Sequence, residues 1–341
     1  MTQLFSHLRV SSEYSISQGL LTVDQIVDNA IRNSVPSVAL TDKSNMFGLV
    51  KFFNKCESAG IKPISGSSIR LIFDDDDTSY ELLCLAKTNN GHKNLMKIIS
   101  NAHNNSLFNF PIIRFNDLIE LKDDIIVISG GKDSHIFEYL KSNNISDASK
   151  RINDFRSSFG DNFVLDVQLT NRIDEIEYLK NVLPIAKDKG IPLIATNDVL
   201  FAEQDDYEIH ETKVCINTGK TLNDPNRERV FSEHQYFKSP QEMMELFKDY
   251  DSLIDNTNEI SKKCNVSLET KGYFLPEYPV PKKHNFDSFL KEISTQRIES
   301  YIKDFDSKKH SEYLDRLNYE LEQIKTMGFS SYFLIVYDFI E

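Results

Sequence analysis

The residues able to do chemistry lie in or just beyond short apolar runs. His7 and Arg9 flank Leu8 in the first run, and Asp42 follows Val38-Ala39-Leu40-Thr41. Glu81 sits in the run Tyr80–Lys87, and Asn197-Asp198 follows Leu193-Ile194-Ala195-Thr196. In a parallel α/β barrel the working side chains stand at the C-terminal ends of the strands. A histidine and carboxylates contributed by different strands form a donor set for a divalent cation. Taken singly, each has an ordinary structural role. An aspartate after a parallel strand caps the next helix, and a buried histidine is held by a hydrogen bond. Other chemistries are excluded. There is no G-x-x-x-x-G-K-[ST] phosphate loop and no G-x-S-x-G elbow. Ser65-Gly66-Ser67-Ser68 has no evident histidine partner, which argues against a nucleophilic triad. The run Asp74–Asp77 would alternate between faces of an extended chain and cannot converge on one ion, so a solvated hairpin turn is expected there.

The elements that must position these groups alternate between strand and helix. Strands are expected at Leu4–Val10, Ser37–Thr41, Lys62–Phe73, Tyr80–Lys87, Asp124–Ser129, Asn162–Gln168 and Leu193–Thr196. Several are unbroken apolar runs, the pattern of strands buried on both faces of a parallel sheet. Between them lie helical stripes: Val23, Ile26, Val27, Ala30 and Ile31 behind the cap Thr22, then Phe47, Val50, Phe53 and Ala59 before Gly60. A third helix, Ile173 to Lys189, stops at Gly190. This alternation suggests a (β/α) barrel or a doubly wound sheet. After about residue 201 it gives way to helices at Asp206–Thr218 and Pro240–Cys264. The boundaries expected are a barrel domain with its C-terminal helices over 1–272, a Pro-rich linker over 273–285, and a helical segment over 286–341. In the last, Leu314, Leu317, Leu321 and Ile324 make an apolar stripe. The apolar ending Tyr332–Tyr337 suggests a chain that continues into a larger domain.

Composition narrows the class. The chain has 341 residues, 40% of them hydrophobic and 27% charged, which is ordinary for a globular protein. No run is long enough to span a membrane, so no membrane partner is expected. The N-terminus lacks a signal-peptide pattern, and Cys56, Cys84, Cys215 and Cys264 are widely spaced, pointing to a reduced, cytoplasmic setting. A net charge of −13 repels nucleic-acid phosphates from most of the surface.

Beyond these general signals, a set of motifs occurs in a recognisable order. It begins with His7-Leu8-Arg9-Val10-Ser11-Ser12-Glu13-Tyr14-Ser15 and Ala39-Leu40-Thr41-Asp42. Gly48-Leu49-Val50-Lys51-Phe52, Gly60-Ile61-Lys62-Pro63-Ile64 and Ala195-Thr196-Asn197-Asp198 follow. Thr221-Leu222-Asn223-Asp224-Pro225, Tyr273-Phe274-Leu275-Pro276 and Met327-Gly328-Phe329-Ser330-Ser331-Tyr332-Phe333-Leu334-Ile335-Val336 complete it. Together they resemble the N-terminal polymerase-and-histidinol-phosphatase (PHP) domain and the start of the palm in the bacterial replicative, C-family DNA polymerase III α subunits. The resemblance implies an α/β fold with a distorted seven-stranded barrel, followed by a mainly helical segment entering the palm. It implies a whole subunit that adds dNTPs to a DNA primer with two Mg²⁺ ions held by palm aspartates. Those aspartates are not in these residues, so the 341-residue chain is expected to be inactive as a polymerase. It also implies a proofreading exonuclease subunit docked on the PHP domain. Contacts to DNA, dNTP, the sliding clamp and the clamp loader are expected through downstream regions.

Some members of the family hold a metal cluster in the PHP barrel through about nine His, Asp, Glu or Cys ligands. Position by position, His7, Asp42 and Asp198 match that set. Arg9 and Ser11 stand in place of histidines, Lys43 in place of the histidine after Asp42, Ser68 in place of an acid, and Glu81 in place of a histidine. Gly131, Thr170 and Leu200 replace the remaining ligands. The expectation is therefore a vestigial pocket of His7, Arg9, Asp42, Lys43 and Asp198 with no bound cofactor, in which Arg9, with Lys43, pairs with Asp42 or Asp198. The alternative reading is an active metal-dependent phosphoesterase or 3′–5′ exonuclease.

Overall fold

Among the described residues seven strands form the sheet: β1 (Ser37–Leu40), β2 (Lys62–Ile72), β3 (Ser79–Ala86), β4 (Ile113–Arg114), β5 (Ile125–Ile128), β6 (Phe163–Gln168) and β7 (Leu193–Thr196). The computed structural model describes residues 4–76, 78–104, 110–268 and 276–340. The strand order is β1-β2-β3-β5-β6-β7, with β4 paired to the far end of the long β2. β1 with β2, β5 with β6 and β6 with β7 are parallel, whereas β3 runs antiparallel to both neighbours. The sheet is therefore mixed, not wholly parallel as the apolar runs suggested. β2 and β3 are joined by a short turn, and a two-strand hairpin reverses direction without a crossover helix.

The expected first strand, Leu4–Val10, is not a ladder strand. Its residues make isolated parallel bridges, His7 to Val38 and Val10 to Val199. The Ala39 amide donates to His7 O at 2.8 Å and the Ser11 amide to Val199 O at 2.9 Å. One short segment thus reaches both edges of the curled sheet, β1 and the chain leaving β7. The missed strand, β4, is only two residues long and carries no periodicity.

Alternation along the strands sorts the core into layers. Leu83, Leu85, Ile126, Ile128, Val164 and Ile194 pack together with Leu8, Ala39 and Ile64 on the inner face. The alternate residues Cys84, Ile125, Val127, Phe163, Leu165 and Leu193 pack outward against Leu95, Ile98, Phe155 and Leu179 of the helices. β1 is covered by the helices Val23–Arg32 and Leu49–Ser58 through Val27, Phe52 and Phe53. The first is opened by a Thr22–Gln25 capping box. In the second the buried face is Leu49, Phe52, Phe53 and Cys56; Phe47 and Val50, expected in the stripe, are exposed. Two overlapping apolar stripes exist in this segment, and the one facing β1 is the other.

The single helix expected over Pro240–Cys264 is two, Pro240–Leu246 and Asp251–Lys263, separated by a turn that buries Phe247. The carboxylates of the β2–β3 turn are not merely solvated. Asp74 pairs with Arg114, Asp75 with Lys150 and Arg151, and Asp76 accepts the Tyr139 hydroxyl, while Asp77 lies outside the described residues.

The chain divides into two units, Met1–Leu268 and Glu269–Glu341. Of the expected linker, 273–275 lie outside the described residues and 276–285 carry no helix or strand. The second unit contains the helices Phe286–Ile302, Ser307–Thr326 and Ser330–Ile340. Asn285 and Asp306 cap the first two, and Gly328, at φ +74°, breaks the chain before the third.

Candidate functional site

The mouth of the barrel is organised around Arg9. The bridges to β1 and to Val199 fix its backbone, and its side chain is 1% exposed. Nε donates to Asp198 Oδ1 at 3.1 Å, and Nη2 donates to Glu81 Oε1. Lys43 Nζ reaches the other oxygen of Glu81 at 2.8 Å. Asp198 also accepts from Gln235 Nε2 at 2.8 Å and has Arg172 Nη1 at 3.7 Å. Burial alone would raise both carboxyls. Lys43 and Arg9 instead hold Glu81 below the usual glutamate range, and Arg9, Arg172 and Lys43 hold Asp198 below the usual aspartate range. Burial alone would lower Arg9, but Asp198, Glu81 and more distant carboxylates hold it above its ordinary value. This is an alternating charge network in which the buried carboxylates of Glu81 and Asp198 each lie between two cationic side chains.

The other sequence-selected residues are not part of it. His7 points into an aromatic enclosure, with Phe237 at 4.4 Å and Phe5 at 5.0 Å between ring centroids. Its Nε2 bonds the Lys238 carbonyl at 2.7 Å, and burial lowers its pKa to about 4. It is a neutral core residue. Asp42 does not pair with Arg9. It accepts from the Ser12 amide at 2.7 Å and from the Ser12 and Ser15 hydroxyls at 2.7 and 2.6 Å. Burial raises its pKa, only partly offset by these donors. Asp42 therefore ties the loop after the closing segment to the end of β1. Of the two pairings expected for Arg9, Asp198 forms and Asp42 does not.

Glu81, which the sequence reading sets outside the vestigial pocket, joins it by holding both Arg9 and Lys43. Arg172 and Gln235 were not anticipated. Arg172 follows the end of β6, and the strand-end rule that selected Asp42 also covers it. It is locked by Glu175, a 3%-exposed carboxylate that also accepts the Thr170 amide at 2.6 Å and hydroxyl at 2.7 Å. Asn171 and Asp174 take left-handed conformations around it, which no residue-type signal announces. Gln235 comes from an irregular stretch without periodicity. Asp133 is brought within 4.0 Å of Arg9 by the turn after β5. That turn requires Gly130 at φ +94°, where a Cβ would lie 2.1 Å from the Glu81 carbonyl oxygen.

With this geometry in view, residues 7–170 match the PHP domain model, and residues 288–341 match that of the bacterial DNA polymerase III alpha NTPase domain. The chain is 38% identical to DNA polymerase III subunit alpha of Pseudomonas aeruginosa, over 100% of this chain and 30% of that protein. It is 37% identical to the corresponding subunit of Escherichia coli K12, over 99% of this chain and again 30% of that protein. The chain belongs to the DNA polymerase III α family. It spans about a third of the length of these curated relatives. A solved amidohydrolase from Chromobacterium violaceum superposes at a TM-score of 0.41, with 11% identity over 61% of this chain and 96% of that one.

The metal cluster that the PHP resemblance implies does not fit these side chains. Among the described residues no group of three or more His, Cys, Asp or Glu side chains is placed to hold an ion. The guanidinium of Arg9 lies between Glu81 and Asp198, and the Lys43 ammonium lies on the remaining Glu81 oxygen. Gly131, at a ligand position, bonds Asp166 through its amide, and a Cβ there would meet the Gln168 side chain at 2.6 Å. Thr170 is taken by Glu175, and Leu200 is core. Within the DNA polymerase III α family, this chain thus carries a mouth neutralised by its own cations.

Proposed function

We propose that this chain is the N-terminal part of a replicative DNA polymerase subunit whose PHP barrel is catalytically silent. In this reading the whole subunit extends DNA from dNTPs in the cytoplasm with Mg²⁺ held by downstream palm residues. The barrel is a folded support on which the separate proofreading exonuclease subunit docks. Sliding clamp and clamp loader engage downstream regions. The observation that carries the silent-barrel reading is the position of Arg9. A divalent ion placed between Glu81 and Asp198 would meet a fixed guanidinium and would have to displace it from two buried carboxylates. The acidic surface, at net charge −13, supports docking of protein rather than of DNA on most of this chain.

The test is thermal unfolding in EDTA, Mn²⁺ or Zn²⁺, together with release of 3′-terminal nucleotides or p-nitrophenol. The expected result is one midpoint in all conditions and no hydrolysis. A metal-dependent rise of several degrees, or hydrolysis lost in Asp198→Asn, overturns the silent-barrel reading. Docking is tested by co-purifying the chain with the exonuclease subunit of the same organism; failure to associate overturns that part alone.

A further inference from the structure

The second apolar stripe around the helix Leu49–Ser58 is one that the core does not use. Phe47 is 71% exposed, and Val50, three residues on, is exposed as well, while Leu49, Phe52 and Phe53 are buried. Met96 is exposed on the helix Asn89–Asn104. A groove of about 570 Å³ runs between them, walled by Met46, Phe47, Met96 and Ile99 with Ser100 and His103. The turn that presents Phe47 is fixed at several points. His103 Nε2 donates to the Ser44 carbonyl at 2.8 Å, and the Ser44 amide donates to Ser68 O at 2.8 Å. The Asn45 side chain donates to the Tyr14 and Lys43 carbonyls at 3.1 and 3.0 Å and accepts the Phe47 amide at 3.2 Å. A ring left in water forfeits the free energy of its burial, so Phe47 adds little to the fold itself. An apolar anchor already held in place loses little entropy when a partner covers it, and aromatic and methionine side chains are enriched in interface cores.

Charge sets the kind of partner. The helix Asn89–Asn104 contains no Asp or Glu. Its Lys93 and Lys97, either side of Met96 in sequence, are exposed and form no ion pair among the described residues. Lys51 and Lys55 share a single carboxylate, Asp24. None of the residues lining the groove is acidic, and Glu57, the one acid of the helix Leu49–Ser58, stands about two turns beyond Val50. On a chain of net charge −13 this is a basic margin around an apolar groove. We propose that the groove docks an acidic amphipathic segment of a partner protein, with its apolar side chains on Phe47, Val50 and Met96 and its carboxylates toward Lys93, Lys97 and Lys51. The proposal uses none of the Arg9 network and stands whether or not the barrel is silent.

The probe is a fluorescein-labelled helical peptide of about 18 residues, with leucine on one face and glutamate along its flanks. It is titrated by anisotropy into the 341-residue chain. The control peptide keeps the leucines and carries lysine for every glutamate. The acidic probe is expected to bind, and the basic one to bind about tenfold more weakly or worse. Phe47→Ser/Met96→Ser is expected to weaken the acidic probe about tenfold or more. Lys93→Glu/Lys97→Glu is expected to do the same, with an effect that shrinks as salt is raised. All four side chains are exposed, so the thermal midpoints should not change. Should either double variant misfold, Met96→Ser and Lys97→Glu serve singly. Absence of binding, equal affinity for the two peptides, or equal affinity in the variants overturns the proposal. A concentration-dependent dimer in sedimentation that Phe47→Ser dissolves also overturns it, in favour of a second copy of the chain. Association with the exonuclease subunit is scored separately, and none of these failures touches it.

Discussion

Arg9 and Asp198, 189 residues apart in sequence, are joined at 3.1 Å by a buried ion pair across the closure of the barrel. The pair links the segment that bridges the sheet edges to the loop leaving the last strand. Glu81, on β3, completes it from the opposite wall.

Arg9→Met should therefore be severe. It leaves Glu81 and Asp198 buried with reduced compensation, a situation that costs about 3–5 kcal/mol. Urea unfolding at neutral pH measures the loss. A double-mutant cycle with Glu81→Leu should recover part of it, because the second change removes one of the stranded charges. A loss under 1 kcal/mol for Arg9→Met would mean that Lys43 and Arg172 suffice without it.

Acid sensitivity should begin above the carboxylate range. His7 has a folded pKa near 4 against 6.5 unfolded, and His135 near 3 against 6.5, both chiefly through burial. The fold favours the neutral form, so the stability they contribute is full above pH 6.5 and is lost as pH falls toward 4. The depressed carboxyls of Glu81 and Asp198 add a second loss below their unfolded values of 4.5 and 3.8. In His7→Leu the fall in unfolding free energy between pH 6.5 and 4 should be smaller by about 3 kcal/mol, whatever the variant loses at pH 7. An unchanged slope would show that His7 is charged in the folded state.

Asp42→Ala should destabilise through unpaired donors. The Ser12 amide and the Ser12 and Ser15 hydroxyls are buried and lose their acceptor together. A cost of about 2–4 kcal/mol is expected, equal in EDTA and in Zn²⁺. A cost that appears only with metal present would reassign Asp42 as a ligand.

Much of the fold could be read beforehand, and the gaps have physical causes. The runs ending in Thr41, Ser129 and Thr196 were legible because strands buried on both faces read as unbroken apolar stretches. The reversal of β3 was not, since an antiparallel strand between two layers has the same composition as a parallel one. At the site, the charge of Arg9 and Lys43 was legible from residue type alone. What each carboxylate pairs with was not. Asp42 and Asp198 look alike in sequence, but the turn over Ser12–Ser15 reaches one and the guanidinium reaches the other.

Glu175→Gln tests the least legible part. Its carboxylate holds the Thr170 and Arg172 amides, at 2.6 and 3.2 Å, around two left-handed residues. A loss of about 2 kcal/mol is expected, with faster amide hydrogen exchange at both positions and little change on β2. Uniform acceleration across the sheet would argue that the loop opens only with the whole domain.

The bridging of His7–Ser11 to β1 on one side and Val199 on the other has a consequence for biosynthesis. When residues 7–11 leave the ribosome, their second neighbour has not yet been translated. At about 5–20 residues per second, the wait for Val199 is roughly 10–40 s. Through that interval Arg9 lacks Asp198, and during its early part Glu81 as well, and the apolar inner wall stays open along one seam. The nascent chain is most exposed to misassociation there, and completion of the barrel is a late event set by translation of its far end.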